Sequence, residues 1–169
     1  MVVLGSALLS TEVAATSIVG PPPLINLLRN ADHVFIGKVV HVEMVDQDGA
    51  QILESDARTG PGRQNTLRLH VVRVEDGLLY SRGTEVPPTE IVVPLWPMWH
   101  MSLEQKRRSL GTTSIFIVNG PPWALVSPAG CILNPQRRAE VESTLTLLRE
   151  LLEGVGASLE GPPPPRTTR

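Results

Sequence analysis

From His33 to Met44 the chain alternates apolar and polar positions, with Val34, Ile36, Val40, Val42 and Met44 in one phase of a period-2 pattern. Only an extended strand turns successive side chains to opposite faces, so this segment reads as a long half-buried strand. Gly37 inside it predicts the bend or bulge that a small, strongly curved sheet requires. A second segment, Thr66 to Glu75, carries Leu67, Leu69 and Val71 in one phase, then Val72 and Val74 in the other. That switch predicts a bulge at Val71-Val72. Asp76-Gly77 reads as the turn that ends the strand, and Asp48-Gly49 and Gly60-Pro61-Gly62 mark turns in the polar stretch from Asp46 to Asn65.

Sixteen prolines and 14 glycines among 169 residues cut the rest of the chain into short elements. Pro21-Pro22-Pro23 can open a short helix with Leu24, Leu27 and Leu28 on one face. Ile91-Val92-Val93 begins a third strand, which Pro94 places at an edge or terminates. Ser102-Leu103-Glu104-Gln105 matches a capping box, and Gly111 closes the helix that follows. Ile115-Phe116-Ile117-Val118 is a fourth strand. Trp123 to Val126 is a fifth, extended by Cys131-Ile132-Leu133 after a turn at Pro128 to Gly130. The last helix is capped by Asn134, takes Pro135 in its first turn and ends at Gly154. Val141, Leu145, Leu148 and Leu152 form its core stripe, widened by Leu147 and Leu151.

The expected fold is mainly β with flanking helices. Three strands, a helix and two strands follow the order of a five-stranded OB-like barrel, with Val34, Ile36, Val71 and Ile117 inside and the C-terminal helix packed against it. A sandwich would need about seven strands. The expected organisation is a leader over 1–20, one domain over 21–155 including a helix over 135–153, and a proline-rich tail over 156–169.

The leader's apolar run, Val2 to Leu9, is far short of the ~20 residues that span a bilayer. Ala14-Ala15 could form a small-residue cleavage region, but no Lys or Arg precedes the apolar run, so export and cytoplasmic retention both stay open. In the tail, Pro162 to Pro165 favour polyproline II. They read as a frayed terminus, with a ligand for a proline-binding groove as the other reading.

The segment Asn30-Ala31-Asp32-His33-Val34-Phe35-Ile36-Gly37-Lys38-Val39 resembles the opening of the barrel in tissue inhibitors of metalloproteinases and netrin-like modules. It is also similar to a group of bacterial domains whose first strand carries Ala-Asp-x-Val-x-x-Gly-x-Val and whose second ends in Val-x-x-Val-x-x-Gly. Val71 to Gly77 fits the latter loosely. The likeness covers residues 24–133 and implies an OB-type barrel. In the inhibitors a leading cysteine sits on the target zinc and disulfides hold that edge. Here no cysteine stands at that position and Cys131 is the chain's single cysteine, so protease inhibition is not implied.

The composition excludes more than it assigns. A content of 41% hydrophobic and 19% charged residues is that of a folded chain, and a net charge of -2 gives no general attraction to nucleic acid or anionic lipid. His33 and His41 share a strand phase but stand roughly 26 Å apart, so they cannot share an ion. His41 and His70, on adjacent strands, can face each other on the polar side. No third ligand stands at a recognisable spacing, so neither a metal site nor a cofactor is expected. Asp46-Gln47-Asp48-Gly49 resembles a fragment of a calcium loop but reads as a turn. Cys131 is flanked by Ile132 and Leu133, as a buried inert thiol would be. No nucleophile elbow or phosphate loop occurs, and no catalytic residues are expected.

Trp96-Pro97-Met98-Trp99-His100-Met101 concentrates large side chains in a chain with 4% aromatics. Trp96 is expected to be largely buried and Trp99 partly exposed beside a shallow pocket. The expected binding residues are Trp96, Trp99, His100, Arg68 and Arg73. The function expected is a non-enzymatic binding domain for a protein or envelope ligand. A single-stranded nucleic-acid module using Arg68 and Arg73 is the alternative, disfavoured because the strands carrying them lack aromatic platforms. An enzyme with a cleft at Trp99 and His100 is the third reading. The basic groups Lys106-Arg107-Arg108 and Arg137-Arg138 read as solvated helix faces.

Overall fold

A computed structural model of the chain describes residues 20–60, 62–82, 86–96 and 100–159, with side chains to residue 153. The leader run from Val2 to Leu9, Pro97, Met98, Trp99 and the tail prolines lie outside the described residues. The elements in order are α1 (Leu24–Arg29), β1 (His33–Val45), β2 (Gln51–Ile52), β3 (Thr66–Ser81), β4 (Glu90–Pro94), α2 (Leu103–Arg107), β5 (Thr113–Val118), β6 (Ile132–Leu133) and, after a 3-10 turn at Pro135–Arg137, α3 (Arg138–Leu159). No helix among the described residues is long and apolar enough to cross a membrane.

β1 organises the sheet, because it pairs antiparallel with β3 along nearly its whole length, with β5 through its first half and with β2 at its end. The resulting order is β4-β3-β1-β5-β6, with β2 alongside β1. Here the expectation of a closed five-stranded barrel meets a six-stranded sheet. No main-chain ladder joins its β4 and β6 edges among the described residues. The added strand is β2, a two-residue pairing that the polarity of Asp46 to Asn65 conceals. β4 is an edge strand, as Pro94 requires.

Several local expectations hold, each through a specific bond. The Ser102 side chain accepts from the Gln105 N–H at 3.0 Å, as expected, but the helix it caps ends at Arg107 with Arg108 as its C-cap, and Gly111, at a φ of +78°, lies in the turn beyond. Asp46 Oδ1 accepts from the N–H groups of Asp48 and Ala50, so Asp46 to Gly49 is a turn whose carboxylate is committed to backbone donors. Asn134 caps the final helical run through the Gln136 N–H at 2.8 Å.

Other expectations are corrected. The extra residue in the β1–β3 ladder is Val40, not one of the Val71-Val72 pair, because Val39 opposes Val71 while His41 opposes His70. Val40 therefore turns outward and is 50% exposed, and Val39 takes its place in the core. Asp76-Gly77 does not end its strand. Asp76 takes a φ of +53° and the pair forms an irregularity, after which β3 runs on to Ser81. Trp123 to Val126 makes one isolated bridge, Val118 to Leu125, rather than a strand. α3 continues through Gly154 to Leu159. Its buried stripe is Val141, Leu145 and Leu148, whereas Leu147, Leu151 and Leu152 are exposed.

The core is one continuous cluster. The start of β1 is buried on both faces, and Phe35 stacks on Phe116, its partner across the β1–β5 ladder, at 5.5 Å between ring centroids. Val34, Ile36, Val71 and Ile117 all lie in this core. α1 packs on α3, and together they cover the end of the sheet where β3 finishes.

Candidate functional site

The expected binding residues do not form one site. Trp96 follows β4 and is 40% exposed, not largely buried, and its Nε1 donates to the Leu125 carbonyl at 3.1 Å. The bond ties the β4 edge to the segment before β6. A small cavity of about 150 Å³ lies beside it, lined by Trp96, Met101, Lys106 and Cys131 among others. His100 is exposed and packs against Gly60, whose position leaves no room for a Cβ. Lys106 is half-buried at this cavity, not on a solvated face, and burial lowers its pKa. Arg68 and Arg73 lie on β3 away from this corner, with Arg68 Nη1 3.8 Å from Glu43 Oε1.

A second, strongly apolar concavity lies elsewhere. α1, the end of β3 and α3 enclose a groove of about 520 Å³. Its floor is Leu28, Tyr80, Leu145, Leu148 and Leu152, and Arg29, Arg82 and Arg149 stand around it. The helices align this way because Leu27 and Leu28 of α1 and Val141, Leu145 and Leu148 of α3 are buried together. Arg82 is held in place by donating to the Arg29 carbonyl at 2.8 Å and by Asp32 at 3.6 Å. Arg29 and Arg149 are exposed and form no ion pair among the described residues. Leu152 is 68% exposed, and Leu147 and Leu151 extend the apolar surface along α3. Sequence reading misses this groove because it counts Leu152 into the core stripe.

On the outer face of the β1–β3 ladder, His41, Glu43 and His70 bring their ligating atoms within 4.8 Å of one another. They are the one group of three metal-ligating side chains among the described residues. The sequence pairs His41 with His70 correctly but passes over Glu43, although its position two residues from His41 puts it on the same strand face. His33, by contrast, is buried, bonded to the Ser81 hydroxyl at 3.0 Å and tilted against Trp123. Comparison of the chain with protein-family models, with curated proteins and with solved structures gives no match.

Proposed function

We propose that the chain is a non-enzymatic binding domain that holds an amphipathic helix of a partner protein in the groove between α1, β3 and α3. The observation that carries this reading is an apolar floor with three arginines around it, two of them without carboxylate partners among the described residues. A leucine-rich stripe would fill the floor, and carboxylates flanking it would meet Arg29, Arg82 and Arg149. Burial of leucines supplies affinity, and the arginines select against basic segments. The sheet is read as an OB-type barrel open along one seam, where the Trp96 to Leu125 bond stands in for ladder pairing. That reading keeps the likeness to the inhibitor-type barrel at the level of fold.

The test is fluorescence anisotropy with two labelled helical peptides sharing one leucine stripe, one flanked by glutamates and the other by lysines. Preference for the acidic peptide, weakened at least ~10-fold by Arg149→Glu and by Leu152→Glu, is the expected result. Equal binding of both peptides, or none, overturns the proposal. So does self-association that Leu152→Glu abolishes, which would assign the groove to a second copy of the chain.

A further inference from the structure

The bulge at Val40 has a chemical consequence. Beyond it Val42 and Met44 face the core, so His41 and Glu43 both face outward. On β3, Leu67, Leu69 and Val71 face the core, which turns His70 to the same outer face. His41 and His70 are direct cross-strand partners, and Glu43 is two residues along from His41. His70 Nε2 lies 3.0 Å from Glu43 Oε1. Despite that distance the two are not aligned as a hydrogen bond, and Nε2 is buried with no hydrogen-bond partner. A buried polar atom without a partner costs free energy unless something else satisfies it.

We propose that His41, Glu43 and His70 bind a divalent first-row transition-metal ion, with Zn2+ the ion that fits best. Two imidazoles and one carboxylate form the mixed nitrogen–oxygen set of three-ligand zinc sites, with a fourth position left for water. Around a tetrahedral ion at that bond length, ligand atoms stand roughly 3.4 Å apart. The His70–Glu43 spacing already meets this, and rotation of the exposed His41 ring supplies the rest. Ca2+ and Mg2+ take mostly oxygen ligands and do not suit the set. Arg68, at 3.8 Å, is too far from Glu43 to hydrogen-bond, so the carboxylate is not committed to it. A bound ion pins β1 to β3 just past the bulge, where their ladder shifts register. The site shares no residue with the arginine-flanked groove, and neither proposal depends on the other.

The untagged full chain, stripped with a chelator, is titrated with Zn2+ in competition with a chromophoric chelator, and with Co2+ to follow its ligand-field bands. One Zn2+ per chain is expected, with tetrahedral Co2+ bands and a melting temperature that rises with Zn2+. Glu43→Gln and His70→Ala should each weaken binding at least ~100-fold and remove the thermal shift, while His100→Ala leaves both unchanged. His41→Gln changes an exposed side chain and gives the same reading if His70→Ala does not fold. Absence of stoichiometric binding overturns the proposal, as does affinity that Glu43→Gln and His41→Gln leave unaltered.

Discussion

His41 of β1 lies opposite His70 of β3 in the antiparallel register, and their rings meet edge to face with centroids 5.0 Å apart. Had Val40 stayed in the ladder, the residues after it would have changed faces, since a one-residue shift turns every side chain over. The two histidines meet because β1 carries one residue more than β3 at this point.

That placement separates two adjacent valines. Val40 is half exposed while Val39 is 2% exposed. Val40→Lys should change stability by no more than about 0.5 kcal/mol, as surface substitutions do. Val39→Ala should cost about 2 kcal/mol for lost burial and a cavity. Urea denaturation of both variants checks this, and a larger loss for Val40→Lys would contradict the bulge.

α3 offers a second contrast within one apolar stripe. Leu145 and Leu148 are buried, so truncating either to alanine should cost ~2–5 kcal/mol. Leu152→Ala should cost less than about 0.5 kcal/mol, since that side chain is mostly in solvent. Thermal melts of the three variants would show it. A large loss at Leu152 would mean that the groove is filled by the chain itself.

Sequence pattern made the long elements legible where one periodicity governs them. Val34, Ile36, Leu67 and Leu69 needed only alternation, Ile117 only the unbroken apolar run around it, and Ser102 and Asn134 only local capping chemistry. What failed was phase. At Val40 the alternation slips on β1, and the Val71-Val72 switch is a plausible but wrong place to put the slip. Asp76-Gly77 carries turn chemistry that β3 absorbs as an irregularity, because Phe35 pairs with Leu78 beyond it. The scarcity of aromatics points Trp96 inward, yet the ring lies 40% exposed at the end of the edge strand, with its indole N–H donating to the Leu125 carbonyl. Glu43 was recoverable from the spacing His41-x-Glu43. The groove was not, because it depends on how α1 and α3 meet.

Cys131 should behave as a buried thiol. It is 1% exposed, and burial pushes its pKa up despite hydrogen bonds from the Ser127 and Val126 N–H groups, which pull the other way. Ellman's reagent at neutral pH should label it only after denaturant is added. A raised thiol pKa means that the unfolded chain gives up its proton first as pH rises. The folded state then binds more protons in that window, and stability falls with rising pH through it. Cys131→Ala should flatten that slope in the alkaline range, and rapid labelling of the folded chain would refute the assignment.

The irregularity at Asp76-Gly77 gives the sharpest packing prediction. Gly77 is buried, and a Cβ built on it would stand 2.7 Å from the Ile36 carbonyl oxygen and 2.8 Å from that of Val74. Both are main-chain atoms in the irregular stretch between the Phe35–Leu78 and Gly37–Arg73 pairs, where Ile36 is paired to Ile115 of β5, and neither can swing aside as a side chain can. At Gly37 the nearest atoms to such a Cβ belong to the side chains of Val71, at 2.3 Å, and Phe35, both buried in the core with little room to shift. Gly111 differs from both, since its φ is positive but nothing lies near it. Gly77→Ala and Gly37→Ala should therefore each cost about 3 kcal/mol, at the upper end of overpacking penalties. Gly111→Ala should cost about 1 kcal/mol, from backbone strain alone. Guanidinium denaturation of the three variants measures the order. If Gly77→Ala proves the mildest, β3 does not approach Ile36 as closely as described, and the pairing of Phe35 with Leu78 would have to be redrawn.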